Sequence, residues 1–392
     1  MGETLMHFDY TREPGKQLLN RPLRNEATPL MSLITPYYNA GKYFEQTYTC
    51  VMNQSFPYFE WLIVDDGSTD TESIEVLSNL AERDARIRVL CRENGGQAAA
   101  RNTGIQNSST EIIVPLDADD LIEPTFLELL WFALEKNPYA AWAYTDSVGF
   151  GDLQYLWKQP FSASRMKTEN LLVCTAAIRK SWLDRAGGYA ESKQLYDEDW
   201  ELWLRLLALG AKPLHLGGYL FWYRRRNDGA KQAVQKNPAL RRLSRSRIKN
   251  AAAQIDGTIA AQEYPSRGVT GCYATPKRSN WDRKLFLTHE KIHVLMLLPW
   301  MEMGGADGFN LELCAGLNKG RFEFGIITTQ QAENTWQQRF SEHVTDIFNL
   351  PDFLDTEHWA EFISYYIKSR EVDVLFLSNS YYGYYLVPWL RM

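Results

Sequence analysis

The stretch FEWLIVDDGSTDTES, residues 59–73, carries the pattern that decides the fold. Its first residues are mostly apolar and end in two carboxylates, which is typical of a buried strand that reaches the edge of a sheet. Gly67 permits a tight turn, and Ser68, Thr69 and Asp70 supply side chains that can cap a helix. Thr69 with Glu72 also has the spacing of a capping box. The stretch therefore predicts a strand, a short turn and a helix that continues to about Arg83.

Three further apolar runs on either side of this stretch alternate with segments of helical length. Such alternation is typical of an α/β domain with a mainly parallel, doubly wound sheet. Ligands of these sheets bind beside the carboxyl ends of the strands, so we expect the chemistry in the loops that follow them. The runs are LMSLIT (30–35), IRVLCR (87–92) and EIIVPLD (111–117), and the loops are 35–39, 65–70, 93–97 and 117–120.

The composition narrows the class of protein. A chain of 392 residues with 45% apolar side chains can form two domains, each with its own core. A net charge of −6 argues against a nucleic-acid binder, a class that is usually basic. The five cysteines form no CxxC pair, which argues against a zinc site or a disulfide framework. The first residues lack a secretory signal pattern, and no apolar run is long enough to span a membrane. We therefore expect a cytoplasmic protein, either free or held at the inner face of the membrane.

The segment PLDADD, residues 115–120, is the strongest chemical signal. A strand delivers Asp117 and Asp119, spaced by one residue, into a loop. A hard divalent cation binds to a few carboxylates together with phosphate oxygens, and it neutralises the charge of a leaving diphosphate. The pair therefore predicts a site for Mn²⁺ or Mg²⁺, with a plain acidic surface loop as the alternative.

Three other segments carry groups suited to a nucleotide ligand. Either tyrosine of TPYYNAGK (35–42) can stack on a base or pack in its own turn. A carboxylate of VDDGSTD (64–70) can accept the N–H of a base or simply cap the turn. In NGGQAAARNTG (94–104) the glycines allow close backbone approach, and Arg101 can contact substrate. This last segment lacks the Gly-Lys-Ser/Thr of a Walker-type phosphate loop.

The segment YDEDWELWLRLLALG, residues 196–210, predicts a helix that begins with acidic residues. Leu202, Leu206 and Leu209 have the spacing of one buried helix face. Acids at a helix N-terminus are favoured by the helix dipole, which explains them without any catalytic role. The functional alternative is a general base, in which one carboxylate deprotonates an acceptor hydroxyl.

Taken in order, these segments resemble the family 2 glycosyltransferases of the GT-A fold. The likeness covers about residues 29–226 and depends on the set of motifs more than on any one of them. The motifs are Pro36-Tyr37-Tyr38-Asn39, Val64 to Ser68, Asn94 to Gly104, Leu116 to Asp120, Gly187-Gly188-Tyr189 and Glu198-Asp199-Trp200.

The resemblance implies a nucleotide-sugar donor, with a UDP-sugar favoured. Pro36, Tyr38 and Asp66 would hold the base. Asp117 would lie near the ribose and the metal, and Asp119 would ligate the metal.

The resemblance also implies an inverting reaction with Asp199 as the catalytic base. Arg224, in FWYRRR, resembles an arginine that lies near the diphosphate in the family. The acceptor would be a hydroxyl of a saccharide or of a lipid-linked acceptor in surface polysaccharide synthesis.

The C-terminal part resembles the first Rossmann half of family 4 transferases of the GT-B type, on the segments 296–317 and 372–391. That half usually supplies acceptor contacts, and its donor-binding partner half is absent from these residues. We expect a truncated half of a longer chain, with a docking module as the alternative. The predicted organisation is an N-terminal extension (1–28), a GT-A domain (29–226), a basic helical linker (227–290) and a Rossmann-like half-domain (291–392).

Several alternatives stay open at this point. The ten Lys and Arg residues between Arg224 and Lys249 indicate a solvated helix, or contact with an anionic membrane or a lipid diphosphate. A sugar-nucleotide pyrophosphorylase would have a Gly-rich loop with Arg or Lys after the first strand, where this chain has TPYYNAGK. A non-catalytic nucleotide-sugar-binding scaffold would not need a base such as Asp199.

Overall fold

The described residues form two compact units. We call residues 28–255 the N-terminal unit; residues 264–391, together with residues 8–13, are the C-terminal unit. Asp9 and Arg12 hydrogen bond to Gln338 and Ser341 within the C-terminal unit. The computed structural model describes residues 8–14, 28–192, 197–227, 237–255, 264–265, 273–285 and 290–391.

The N-terminal unit is built on one sheet of nine described strands. The strands are β1 Met31–Tyr37, β2 Phe59–Asp65, β3 Ile87–Cys91, β4 Ile112–Pro115, β5 Leu121–Ile122, β6 Trp142–Gly151, β7 Tyr155–Trp157, β8 Ala177–Arg179 and β9 Pro213–Arg225.

The strand order is β3-β2-β1-β4-β8-β6-β9-β5, with β7 beside β6. The first four strands pair in parallel, as expected of strands that alternate with helices. The short strand β8 runs antiparallel between β4 and β6, and β5 runs antiparallel to β9. The predicted α/β fold with a mostly parallel sheet is therefore confirmed. The part of the sheet beyond β4 mixes parallel and antiparallel strands, which the sequence did not predict.

The helices of this unit follow the strands. The capping residue of α2 is Asp70, one of the three residues predicted to supply capping side chains, and its carboxylate accepts the Ser73 backbone N–H. Thr69 of the predicted capping box is not the capping residue. The helices are α1 Gly41–Met52, α2 Thr71–Arg83, α3 Gln97–Asn107, α4 Phe126–Lys136, α5 Ala163–Met166, α6 Lys180–Ala186, α7 Glu198–Ala208 and α8 Pro238–Ala253.

The helices α7 and α8 share a core with β6 and β8. Leu202 and Leu206 are fully buried there, as predicted, whereas Leu209 is 40% exposed because α7 ends at Ala208. Ile248 and Ala251 of α8 pack into the same core. One side of α8 is therefore buried, and Arg247 pairs there with Glu201 of α7. Its other charged side chains, Arg241, Arg242, Arg245 and Lys249, lie on the exposed side.

The C-terminal unit has a four-stranded parallel sheet in the order β12-β11-β10-β13. The chain starts in the middle, moves to one edge and then crosses to the other, which is a doubly wound arrangement. Its elements are β10 Ile292–Leu298, α9 Gly305–Gly316, β11 Phe322–Thr328, α10 Gln337–Ser341, β12 Asp346–Asn349, α11 Leu350–Phe353, α12 Trp359–Arg370, β13 Val374–Leu377 and α13 Tyr381–Leu390.

Among the residues that the structure describes, none of the helices combines the length and apolar character needed to span a membrane.

Candidate active site

The carboxyl ends of β1, β2 and β4 lie next to one another because these strands are parallel neighbours. At the end of β1 the two neighbouring tyrosines differ in their exposure to solvent. Tyr37 is buried, and its hydroxyl donates to the Ser73 carbonyl at 3.2 Å, whereas Tyr38 is 50% exposed. Pro36 is partly buried beside Val64. The ring of Tyr38 is thus the one accessible to a ligand at this strand end.

Asp66, after β2, holds a turn. Its side chain is almost fully buried, and its oxygens accept the backbone N–H groups of Gly95 and Gly96 at 2.9 and 2.7 Å. Arg92 pairs with the same carboxylate at 3.1 Å. Gly96 has φ +89°, a conformation that a side chain would disfavour. These contacts fix the loop that leads into α3, and the predicted contact of Asp66 with a base stays a prediction.

Arg101 connects two distant acidic segments. Its side chain is 2% exposed, and the guanidinium donates to Asp117 at 2.6 Å and to Glu198 at 2.5 Å. Gln97 also donates to Glu198, from one turn earlier on α3. Because a buried charge needs opposite charges close by, this arrangement ties the end of β4 to the start of α7. The predicted substrate contact of Arg101 stays a prediction, and its guanidinium is here engaged with protein carboxylates.

Asn102, the next residue on α3, binds the loop after α6. Its amide accepts the Tyr189 N–H at 2.8 Å and donates to the Tyr189 carbonyl at 2.8 Å. Gly188 lies against the same amide, and a Cβ there would come within 2.7 Å of Asn102 Oδ1. The Arg-Asn pair therefore organises both the Gly-Gly-Tyr turn and the acidic start of α7.

Three aspartates crowd the loop after β4. Asp119 is partly exposed and pairs with Arg226 at 3.1 Å. Asp120 is fully buried, and one of its oxygens accepts the Arg224 N–H at 2.8 Å. Its other oxygen has no hydrogen-bond partner in the described part of the chain. Burial raises the pKa of the Asp120 carboxyl well above its usual value, and the neighbouring aspartates raise it further.

The sequence did not single out Cys174, yet its sulfur lies 3.6 Å from Asp117. Ligand atoms of Asp117, Asp120 and Cys174 all lie within 4.8 Å of one another. Burial holds the pKa of the Cys174 thiol well above its usual value, so the sulfur keeps its proton. The oxygen donors fit a hard cation such as Mn²⁺ or Mg²⁺, whereas a protonated thiol is no ligand for one.

Arg224 lies where the chain leaves β9. Its Nε donates to the Asp119 carbonyl at 2.6 Å, and its Nη2 donates to Gln46 at 2.6 Å. The guanidinium also lies over the rings of Tyr43 and Phe150, at 4.8 and 4.5 Å. It thus fixes the acidic loop and adds positive charge beside it, and this charge would attract a bound diphosphate.

Asp199 lies in the first turn of α7 and is partly buried. One oxygen accepts the Trp200 N–H at 2.7 Å, and Asn170 lies 3.4 Å from the other. Burial raises the pKa of Asp199 to about 7, and the charge of Glu198 adds to the effect. A carboxylate with a pKa near neutrality is suited to take a proton at the pH of a cell.

Taken together, the site offers an exposed aromatic ring, an acidic loop suited to a hard cation, and a separate carboxylate with a raised pKa. The first two suit a nucleotide diphosphate with its metal. The third suits proton removal from a hydroxyl group. Arg101 links the acidic loop and the start of α7 through buried ion pairs.

Comparisons with known proteins place the likeness in this unit. Residues 32–198 match the family described as Glycosyl transferase family 2. An uncharacterized glycosyltransferase of Haemophilus influenzae is 42% identical over 126 residues, 31% of this chain and 50% of that protein. The putative teichuronic acid biosynthesis glycosyltransferase TuaG of Bacillus subtilis is 40% identical over 111 residues, 28% of this chain and 44% of that protein. The chain thus spans half or less of the length of these relatives.

Among solved structures, S. aureus TarS 1–349 in complex with UDP-GlcNAc is 19% identical. The aligned part covers 59% of this chain and 68% of the TarS chain, with a TM-score of 0.48. The family match lies within the N-terminal unit, so the resemblance of the C-terminal unit to family 4 stays a prediction.

Proposed function

We infer, from the family 2 glycosyltransferase domain at residues 32–198 and from the geometry of its site, that the protein is an inverting, metal-dependent glycosyltransferase. The donor is a nucleotide-sugar, with a UDP-sugar favoured by the sequence resemblance. The acceptor is a hydroxyl of a saccharide or a lipid-linked saccharide in surface polysaccharide synthesis. Names of relatives such as TuaG support polysaccharide synthesis as the setting.

The observation that carries the proposal is the chain of contacts from Asp117 through Arg101 to Glu198, the neighbour of Asp199. It joins the loop proposed to hold the donor diphosphate to the helix proposed to hold the base. A single displacement needs both groups in one fixed arrangement, because the acceptor oxygen and the leaving group lie on opposite sides of the anomeric carbon.

In the proposed reaction, Asp199 takes the proton of the acceptor hydroxyl as its oxygen attacks the anomeric carbon. The bond from that carbon to the diphosphate oxygen breaks, and its electron pair leaves with the nucleotide diphosphate. Asp117 and Asp119 would hold a divalent cation, which when bound offsets the charge of the leaving diphosphate. Arg224 adds positive charge beside the same loop, and Tyr38 would stack on the base.

Membrane contact is part of the proposal for a lipid-linked acceptor. The exposed side of α8 carries Arg241, Arg242, Arg245 and Lys249, and no described ion pair involves these four side chains. An anionic membrane surface attracts such a group by about 1 kcal/mol per charge. Binding to vesicles with anionic lipid, weakened by charge-removing substitutions at these positions, is the expected result.

The activity test uses the purified chain with Mn²⁺ and a panel of UDP-, GDP- and dTDP-sugars, and it follows release of the free nucleotide diphosphate. We expect slow, metal-dependent release from one class of donor and its loss in Asp119→Ala. The matched control is Asp184→Ala, which removes an aspartate with a 60% exposed side chain on α6 and should leave release unchanged. No release and no thermal stabilisation with any donor would contradict the proposal.

A further inference from the structure

The carboxylate of Asp119, a proposed metal ligand, is held by an arginine that the sequence did not single out. Arg226 Nε lies 3.1 Å from Asp119 Oδ2. Burial raises the pKa of the Asp119 carboxyl, and the charge of Arg226 is the strongest influence that lowers it. Arg226 is thus the principal counter-charge of an aspartate that also suits a hard cation.

Arg226 follows the end of β9, where the backbone is fixed to its surroundings. Asp120 accepts the Arg224 N–H at 2.8 Å, and Asp152 accepts the Asn227 N–H at 2.8 Å. Side chains alternate along an extended strand, so those of Arg224 and Arg226 point to the same side. Because the backbone is held before and after it, Arg226 can change its partner by rotation of its side chain alone.

The arginines beside the acidic loop differ in how firmly their side chains are held. Arg101 is almost fully buried between two carboxylates. Arg224 donates two side-chain hydrogen bonds, each at 2.6 Å. Arg226 has a 37% exposed side chain and is held through its ion pair with Asp119. Since ion pairs at the surface are weak, Arg226 is the one of these three that can leave its carboxylate.

The guanidinium groups of Arg224 and Arg226 lie close together. Both lie over the ring of Tyr43, at 4.8 and 5.2 Å from its centre. Two like charges at one ring repel each other, and the carboxylate of Asp119 offsets this repulsion. A phosphate group would offset it as well, because guanidinium groups bind phosphate oxygens through strong, charge-assisted hydrogen bonds.

We propose that Arg226 exchanges Asp119 for the diphosphate when the donor binds, an inference that rests on the proposed transferase function. While it is paired with Asp119, Arg226 opposes the binding of a divalent cation, because both positive charges compete for one carboxylate. When a nucleoside diphosphate enters together with the cation, Arg226 pairs with the diphosphate instead. Arg226 thereby makes the acidic loop select the metal complex of a nucleoside diphosphate over the free metal ion.

The charges of the loop support this exchange. Asp117 and Asp119, the two proposed metal ligands, both have guanidinium partners already. A free divalent cation therefore gains less there than at unpaired carboxylates. The complex of the cation with a nucleoside diphosphate carries net negative charge, and it brings oxygens that a released guanidinium can bind. The two ligands should thus bind cooperatively, each raising the affinity for the other.

The test measures two affinities of the whole chain. The first is for Mn²⁺ alone, by electron paramagnetic resonance of the free ion. The second is for a nucleoside diphosphate in saturating Mn²⁺, by calorimetry, with whichever of UDP, GDP and dTDP binds wild type most tightly. Arg226→Met should bind Mn²⁺ alone about three- to fivefold more tightly than wild type, the range expected of a part-exposed ion pair.

The same variant should bind the nucleoside diphosphate with Mn²⁺ about three- to fivefold more weakly, because the diphosphate loses a guanidinium partner. Opposite changes from one substitution are the signature of the exchange. A merely structural role of Arg226 would weaken both affinities.

Two variants serve as controls. Arg83→Met removes an arginine whose side chain is also 37% exposed and pairs with Glu45 at 2.7 Å on the surface of the same unit. Both of its affinities should stay within about twofold of wild type, since salt screens distant surface charges. Arg226→Lys keeps the charge and should lie closer to wild type than Arg226→Met in both affinities.

The outcomes separate this inference from the proposed function. Unchanged or weaker binding of Mn²⁺ alone by Arg226→Met would overturn the exchange, and so would equal changes in Arg83→Met. In either case, binding of both ligands by wild type would leave the proposed function intact. Failure of wild type to bind Mn²⁺ or any of the three nucleoside diphosphates would overturn the proposed function, and this inference with it.

Discussion

Arg101 and Glu198 are 97 positions apart in the chain, yet their side chains meet at 2.5 Å in an almost fully buried contact. The same guanidinium contacts Asp117, so one cation balances two carboxylates from separate elements. A buried ion network of this kind adds little net stability when intact, but removal of one member leaves uncompensated charge.

Arg101→Met should lower the free energy of unfolding by about 3–5 kcal/mol, because Asp117 and Glu198 would then repel each other without a counter-charge. Urea denaturation followed by circular dichroism measures the change. Arg165→Met is the control, since Arg165 has a 44% exposed side chain and pairs with Glu169 at the surface. A similar loss of unfolding free energy in both variants would contradict this prediction, because the buried network would then contribute no more than a surface ion pair.

The pKa of Asp199, raised to about 7, predicts the pH dependence of transfer. The base must be ionised to accept a proton, so the rate should fall about tenfold per pH unit below pH 7 and level off above it. The measurement is the rate of nucleotide diphosphate release, in saturating donor and acceptor, across that range. A rate that stays flat through pH 7 would exclude Asp199 as the titrating base.

Asp199→Asn should lower the rate by about 10²–10⁴-fold, the usual contribution of a general base. The amide oxygen can still accept the Trp200 N–H, so the start of α7 should stay intact. Affinity for UDP with Mn²⁺ serves as the control and should match wild type. A fall in that affinity as large as the fall in rate would point to a structural role instead.

Gly187 and Gly188 allow a matched pair of substitutions. Both have positive φ, +75° and +69°, so alanine at either costs about 1–2 kcal/mol of backbone strain. A Cβ at Gly187 meets nothing within 4 Å, whereas one at Gly188 would press on Asn102 at 2.7 Å. Gly188→Ala should therefore be the more destabilising variant in thermal unfolding. Equal losses would mean that the Asn102 contact adjusts freely.

Asp120→Asn should raise the melting temperature without metal and reduce the stabilisation that metal and UDP provide. In chelator the variant should melt a few degrees higher than wild type, about 2–4 °C per kcal/mol, since a neutral amide replaces a buried carboxyl whose ionisation is disfavoured by burial and by the neighbouring aspartates. The oxygen that accepts the Arg224 N–H can be retained. With Mn²⁺ and UDP the rise in melting temperature seen for wild type should shrink or vanish. A variant that melts lower than wild type in chelator would contradict this reading of the loop.

The sequence predicted the parallel part of the fold because the strands of that part are apolar runs that end in polar residues. Asp66 and Asp117 mark two of these ends, and the structure places both there. The antiparallel strands β5 and β8 have two and three residues, too few for any periodicity to show. Short strands of this kind form through pairing with neighbours that are distant in sequence.

The contacts within the site were less predictable than its location. Nothing in PLDADD distinguishes the buried Asp120 from the partly exposed Asp119, because three acids in one loop look alike in sequence. Cys174 lies in a segment without period or motif and reaches Asp117 only through the fold. Arg101 was expected to position loops or to contact substrate, but the sequence could not identify its partners Asp117 and Glu198, which lie 16 and 97 residues away. Such pairings depend on tertiary structure.

The Arg101 contacts also determine which segments must be exchanged together in a chimeric protein. A hybrid that takes β4 from one protein and α7 from another inherits two acids whose charge is balanced by a residue on a third element, α3. These three segments must be exchanged as one cassette, even though they are far apart in the gene. Helix α8 belongs with this cassette as well, because it shares a core with α7 and Ser244 donates to the Asp197 carboxylate at the start of α7.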